Sequence, residues 1–498
     1  MSSGSGRSPG GGARTEPNMP VFGFIGGAYT SESLHIDAQQ CVNLYVEQDE
    51  ATKKAALYGT PGIHTWATLP TTPVRALWAG EDRLFAVGGT ELYEVSAAGA
   101  VSASMGSIWD DDTHSPVQIF PSGDGTQIFI VSAGYAWVHN GVSVIPAPVP
   151  PDPAQPDTTP GGQEGTAIAG AFLDSAFFAT KANSRLIYQS AINNAAVWDP
   201  LDVFTKESYP DNVRTILTDH TELWVFGTHQ STEVWRNESD ATEGAVMRRD
   251  PGAHFHFAGA AMFSAVNLEG PAWLGSDTRG RVGAFRAQGF SPVRVSTHAV
   301  ENEWAKYSLV TDAISWVQWD KGHKFWWITF PTGNATWVYD MSTNVWHQRG
   351  YWNGTSLDRH RARCGANVFG KFLVGDHTSG KIYEMHRDFF DDDGAAIRRV
   401  RSAPHINEER KRAFYHSFQL DLEVDTDSAP DVIMDYSRDG GHTWSTPRTL
   451  EPSLASRRGR VIARRLGSDR QRTFRTTITD QKRVAIVDAY VKASPAAG

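Results

Sequence analysis

Cysteine is nearly absent from this 498-residue chain. Cys41 and Cys364 are the only two, and they stand too far apart in sequence to build a disulfide scaffold or a CxxC metal ribbon, so both are expected to be buried reduced thiols. Long apolar runs are missing as well. No stretch approaches the roughly 18 consecutive apolar residues that cross a bilayer, so no membrane span is expected. The opening MSSGSGRSPGGGARTEPN has no apolar core. No signal peptide is therefore expected, and the chain reads as made in a cytoplasm. Helical text is scarce: the best candidate is 297–304, with Thr297 as cap and Glu301 in the first turns, placed as an insertion between β-rich units.

What remains is a globular composition. With 40% hydrophobic and 20% charged residues, wholesale disorder and collagen-like structure are excluded. The net charge of −10, from 46 Lys/Arg and 56 Asp/Glu, is unevenly placed. Residues 396–498 carry 19 Lys/Arg against 13 Asp/Glu, or +6, which leaves 27 against 43, or −16, for residues 1–395. An acidic body is followed by a basic piece.

The body repeats. Short β-rich runs separated by Gly, Asn and Asp begin at 74, 117, 167, 213, 258, 314 and 363, at spacings of 43 to 56 residues. Each has a strand of small residues, then an aromatic-rich strand such as LWVF (223–226) or FWWITF (325–330), then a turn and an outer strand. Repeats of that length and make-up predict an all-β fold, a β-propeller of about seven blades, in which the 17 tryptophans fill the gaps between twisted sheets. The expected division is a flexible tail at 1–18, an N-terminal segment feeding the propeller at 19–72, the propeller at 73–390, a basic connector at 391–412 and a small C-terminal antiparallel β domain of five strands at 413–498. The Pro-rich stretch 146–165 reads as an extended exposed arm.

Several motifs invite chemistry and resolve into structure. GDHTSGK (375–381) has the spacing of a phosphate loop, but Ile382 stands where a magnesium-binding hydroxyl belongs and strand text follows, so a hairpin turn is expected. Ser437, Asp439, Gly441, Thr443 and Trp444 match the SxDxGxTW Asp-box, which fixes a turn rather than a reaction. YDMSTNVW (339–346) has a kelch-type blade signature. His254 and His256 share a strand face without a third ligand in sight, so no metal is assigned; no nucleophile elbow, HExxH or paired catalytic carboxylates occur, and neither a catalytic residue nor a cofactor is expected.

The basic strip 457–483 is the most distinctive chemical feature. Arg457, Arg458, Arg460, Arg464, Arg465, Arg470, Arg472, Arg475, Lys482 and Arg483 face only Asp469 and Asp480. Arginine forks suit phosphate or carboxylate, and strand alternation puts part of the set on one face, giving a candidate contact for a partner protein, preferred here, or for DNA.

The order of passages resembles one family. FIGGAYTSESLHIDAQQCVNLYVEQDE (24–50), ALYGTPGIHTWATL (56–69), VRALWAGEDRLFAVGGTELYEV (74–95), IYQSAINNAAVWDPLDV (187–203), ELWVFGTHQSTEVWRN (222–237), FLVGDHTSGKIYEM (372–385) and the ending SRDGGHTWS … RRLGSDRQRTFRTTITD … AIVDAYV are similar to the packaged-DNA stabilisation proteins of short-tailed double-stranded DNA bacteriophages. The resemblance implies a non-enzymatic virion tail protein built on a propeller. It would be a hub or nozzle in a homo-oligomeric ring, a hexamer by family, beneath the portal and its head–tail adaptor. There it would close the DNA channel, retain packaged double-stranded DNA and carry a tail needle or tailspikes. The alternative is a carbohydrate-binding or glycan-degrading propeller of a tail component, which predicts an axial pocket lined by carboxylates and exposed tryptophan. The Pro-rich arm and the 297–307 insertion are candidate partner-contacting arms.

Overall fold

The computed structural model describes residues 18–34, 37–49, 51–52, 54–80, 82–151, 165–229, 231–238, 247–276, 279–407, 411–424, 428–455 and 457–496. Most of the proposed tail and residues 152–164 of the Pro-rich arm lie outside them.

Six antiparallel sheets follow one another along the chain, spanning 74–107, 118–146, 169–205, 213–255, 258–294 and 314–352, and are numbered here blades 1 to 6. Hairpin turns join their strands, and left-handed residues sit where the turns need them, as at Asn334 (φ 47°) and Asn344 (φ 56°) in blade 6. The unit expected at 363–385 is not a seventh blade of the same make. It supplies three strands, Ala362–Val368, Lys371–Asp376 and Lys381–His386, and takes its outer strand from Gly62–Thr68 near the start of the chain. Six contiguous blades plus this composite sheet close the ring, and the chain itself locks it. The expectation of about seven alike units is corrected in that respect: what sets the last sheet apart is a strand 300 or so residues away, invisible to any local repeat.

The first strand of each sheet borders the axis. Their side chains line a central cavity of about 400 Å³, which includes Ile119, Leu217 and Trp316. Aromatics fill the seams between blades: Trp224 and Trp273 meet across blades 4 and 5 with ring centroids 6.3 Å apart, and Trp316 on the first strand of blade 6 stacks on Phe372 of the composite sheet at 5.8 Å. Trp224, Trp273, Trp326 and Trp327 are fully buried; truncating one to alanine costs about 3–5 kcal/mol. The one helix among the described residues, His298–Trp304, lies between blades 5 and 6. Thr297 Oγ1 caps it by accepting from the Val300 amide, and Val300 and Trp304 are turned into the blade core.

The C-terminal unit is a β-sandwich. All five expected strands form, but they divide between two facing sheets. Ala413–Glu423, Arg458–Asp469 and Ala485–Pro495 belong to one, Val432–Ser437 and Gln471–Ile478 to the other. The N-terminal segment also belongs here. Leu44–Gln48 and Ala55–Gly59 extend the first sheet, Met19–Pro20 pairs with Ala485–Pro495, and Cys41–Val42 joins Arg399–Ser402 in the second. Phe24, Leu44, Leu57, Phe418 and Phe474 share one core. The physical reason is burial: the C-terminal strands alone leave apolar inner surface uncovered, and Val21, Phe24, Leu44, Val46 and Leu57 cover it. The connector likewise supplies strand Arg399–Ser402, whose Arg399 and Arg401 are buried.

Candidate functional site

The strand Arg458–Asp469 lies within the first sandwich sheet, between Ala413–Glu423 and the short edge strand Ser453–Ala455. Gly459, Val461 and Ala463 point into the core, and Arg458, Arg460 and Arg464 point out. A register shift opposite Ser417, with Arg465 at φ 58°, leaves Arg464 and Arg465 exposed side by side. Cross-strand pairing sets Glu423 opposite Arg458 and Asp421 opposite Arg460, and the Arg460–Asp421 ion pair measures 3.7 Å. Among the described residues, Arg457, Arg458, Arg464, Arg465 and Arg470 have no side-chain partner at contact distance.

Two members of the strip are not on that surface. Arg472 is fully buried, with its guanidinium 4.4 Å from the Tyr415 ring centre and 4.2 Å from that of Tyr436; it donates to the Leu466 carbonyl at 2.6 Å and pairs with Asp469. Arg475 makes a fork to Asp435, at 3.0 and 2.5 Å, and lies 3.8 Å over the Trp444 ring. Their charges hold the second sheet together. The candidate contact set of the sequence therefore splits: Arg457, Arg458, Arg460, Arg464, Arg465 and Arg470 are exposed, Arg472 is buried, and Arg475 is half-buried and tied to Asp435. Strand parity alone does not reveal that the second sheet's strands are covered on both sides.

The Asp-box closes as a turn. Asp439 accepts from the Thr443 amide at 2.9 Å and from its hydroxyl at 2.5 Å. Ser437 donates to Asp439 at 2.7 Å and accepts from the Gly441 amide at 2.7 Å. Bonds from Thr443 hold the Asp439 carboxyl well below the usual range. Trp444 packs under Arg475. The GDHTSGK segment is a hairpin between Lys371–Asp376 and Lys381–His386, with Asp376 accepting from Thr378, Ser379 and Tyr383. In the kelch-type stretch Asp340 accepts from the Ser342 amide at 2.9 Å and Tyr339 donates to Asn344 at 2.7 Å. His254 and His256 have rings 6.4 Å apart, with His254 bound to the Pro251 carbonyl. Among the described residues no three His, Cys, Asp or Glu gather as a metal set. Cys41 is buried and Cys364 half-buried, both free, and burial pushes both thiols up to about 11.

Sequence reasoning missed the mouth of the propeller axis. Where the chain enters the first strands, a hollow of about 610 Å³ opens among Arg214, Arg359, Arg363, Asp111, Asp312 and His377. These residues are far apart in sequence, but a signal existed in the repeat phase. Arg75, Arg214 and Arg363 are each the second residue of a first strand, in Val74–Gly80, Val213–Asp219 and Ala362–Val368. Of the two carboxylates, Asp111 is occupied by Ser115 and Thr113. Trp316 lies deeper in the channel and is buried. The described lining of the mouth sets two carboxylates among three arginines and includes no tryptophan, unlike the carboxylate-lined pocket with exposed tryptophan that a glycan-acting axis predicts.

No curated protein matches the chain. Solved structures similar to it include the computationally designed Ika8 protein (10% identity, 65% of this chain and 99% of that one, TM-score 0.35). Others are the extracellular domain of a hybrid two-component system of B. thetaiotaomicron (10%, 64% and 40%, TM-score 0.40) and the N-terminal domain of Nup159 (7%, 70% and 98%, TM-score 0.38). The family described as bacteriophage P22 Gp10, beta-propeller, matches residues 19–389, and that described as bacteriophage P22 Gp10, beta-sandwich, matches 398–494. With both units matched in order across nearly the whole described chain, this protein belongs to the bacteriophage P22 Gp10 family of phage tail structural proteins.

Proposed function

We propose that the chain is the hub, or nozzle, of a short phage tail: a ring of identical subunits beneath the portal and its head–tail adaptor that closes the DNA channel, retains packaged double-stranded DNA and seats the needle or tailspikes. The observation that carries this reading is the family match running through both units, 19–389 and 398–494. The charge layout supports it. A part stacked between unlike neighbours benefits from unlike faces, and here an acidic body is followed by a sandwich strand on and beside which Arg457, Arg458, Arg464, Arg465 and Arg470 have no ion-pair partner among the described residues. That strand suits an acidic protein surface better than a sliding duplex, since arginines gripping phosphate would retard DNA transit.

Phage carrying a deletion of this gene test the reading. Heads are expected to fill and then lose their DNA, and the particles to lack distal tail parts. Deletion particles that hold their DNA and carry complete tails overturn it. Light scattering of the purified chain with and without the adaptor ring checks the oligomer: a strict monomer under both conditions contradicts the ring.

A further inference from the structure

The axial mouth holds an imbalance of charge that the fold does not use. Arg75, Arg214 and Arg363 occupy the same position in three first strands, yet only Arg75 is answered. Its guanidinium lies 3.1 Å from Asp110 and donates to the carbonyls of Ser115 and Gly89 and to Ser132 Oγ. Arg363 is 8% exposed, and among the described residues its one side-chain hydrogen bond is a terminal nitrogen donating to the His114 carbonyl, its Nε having no partner there. Arg214 Nε is also buried without a partner. Arg359, on the same wall, makes no side-chain hydrogen bond or ion pair among the described residues.

A buried guanidinium such as that of Arg363 is costly without a close carboxylate, and the half-buried Arg214 and Arg359 around the same hollow repel it. Burial, with repulsion from Arg75 and Arg359, pulls Arg363 down to about 10. Asp312, which lines the hollow, attracts Arg359, and Asp110 attracts Arg363 from beside it. One Asp312 oxygen accepts from the Thr332 amide at 2.7 Å, and the other is buried with no donor. The hollow thus offers several unused cationic donors and one unused acceptor. A chloride would satisfy only the first; a ligand with an oxyanion and a neighbouring hydroxyl satisfies both.

We propose that the mouth of the propeller axis binds a small hydroxylated oxyanion, a polyol or sugar phosphate or the corresponding carboxylate, with Arg214, Arg359 and Arg363 holding the anionic group and Asp312 accepting from its hydroxyl. The site is too enclosed by seven sheets for a duplex, and the assignment is independent of the tail role. It takes the face of the ring where the loops between blades converge, and it leaves the sandwich arginines free for a macromolecular partner.

Calorimetric titration of the full chain tests this with inorganic phosphate, glycerol 3-phosphate and glycerate, each against chloride at equal ionic strength. Saturable one-site binding is expected, tighter for glycerol 3-phosphate than for inorganic phosphate; the ranking of glycerate against glycerol 3-phosphate says which oxyanion the site prefers. Arg359→Gln and Arg214→Gln, neither of which removes a bond seen in the fold, are each expected to weaken binding at least tenfold. Asp312→Asn is expected to erase the advantage of glycerol 3-phosphate over phosphate. The surface variant Arg464→Gln is expected to bind as the parent does. No saturable binding of any of the three anions overturns the proposal, as does equal affinity in the folded Arg359→Gln and Arg214→Gln variants.

Discussion

Asn43 and Gly350 pair as two strands would, although one of the partners is a side chain. Asn43 Nδ2 donates to the Gly350 carbonyl at 3.0 Å, and the Gly350 amide donates back to Asn43 Oδ1 at 2.9 Å. The same Nδ2 donates to the Arg398 carbonyl at 2.9 Å. Asn43 sits in the left-handed region at φ 51° and belongs to the sandwich; Gly350 is in blade 6. One amide thus joins the two units. Asn43→Ala strands three backbone groups and is expected to cost about 3 kcal/mol. A side chain at Gly350 would meet the Asp358 carbonyl at 2.6 Å, so Gly350→Ala should be comparably harmful. Thermal unfolding checks both; a midpoint unchanged in either variant contradicts the joint.

Arg401 holds the other end of the N-terminal segment. Fully buried, it donates to the carbonyls of Gly23, Phe24, Gly27 and Gln40 and to Gln39 Oε1, at 2.6 to 3.2 Å. Lysine cannot reproduce a fork that reaches five acceptors. Arg401→Lys is expected to lose about 3 kcal/mol and to open residues 23–40 to protease before the propeller is cut. Simultaneous cleavage throughout the chain would show that the latch is not a separate unit.

These two contacts mark the limit of what the sequence discloses. Turns are local, so the Asp-box, the GDHTSGK hairpin and the Thr297 cap could be read from neighbours a few residues apart. The blade spacing could be read because every unit solves the same packing problem with its own residues. Gly62–Thr68 has no such neighbour: its partner Lys381–His386 is chosen by ring closure, and nothing in its own pattern says that it is the last strand of the last sheet. Arg214 and Arg363 share a repeat phase, but their meeting at one hollow follows only when the ring closes.

Stability is expected to peak near pH 6.5 because buried histidines pull in opposite senses. Burial lowers the His323 imidazole, but hydrogen bonds to Asp340 at 2.8 Å and Glu47 at 2.9 Å outweigh it and leave the group above its ordinary 6.5. Its contribution is complete below 6.5 and is lost as pH rises through the folded value. His347 and His360 are buried beside Arg349, His347 well below 6.5 and His360 down to about 3, so the unfolded chain takes up protons that the native one refuses. That loss grows as pH falls below 6.5. Unfolding midpoints from pH 4.5 to 8.5 should therefore form a dome, with His323→Gln flattening the alkaline limb alone. A variant with both limbs intact would place the alkaline loss elsewhere.

The arginine strip offers the sharpest contrast, because identical residues in one run of sequence are given opposite tasks. Arg458 and Arg464 are exposed and unpaired, so glutamine at both should leave the unfolding free energy within about 0.5 kcal/mol of the parent. Arg472 is enclosed between Tyr415 and Tyr436 and tied to Asp469, so Arg472→Leu is expected to cost about 3 kcal/mol by stranding the Leu466 carbonyl and leaving Asp469 with Arg438 alone. Assembly should show the reverse order. The double glutamine variant, folded as the parent, is expected to bind its tail partner at least tenfold more weakly and with a shallower dependence on salt, whereas whatever Arg472→Leu protein remains folded should bind normally, since its side chain reaches no surface. If the folded double variant assembles with unchanged affinity and salt dependence, the exposed arginines are solvated charge and the contact lies on another face. If instead the loss appears only in binding to duplex DNA, the strip grips the genome rather than a protein.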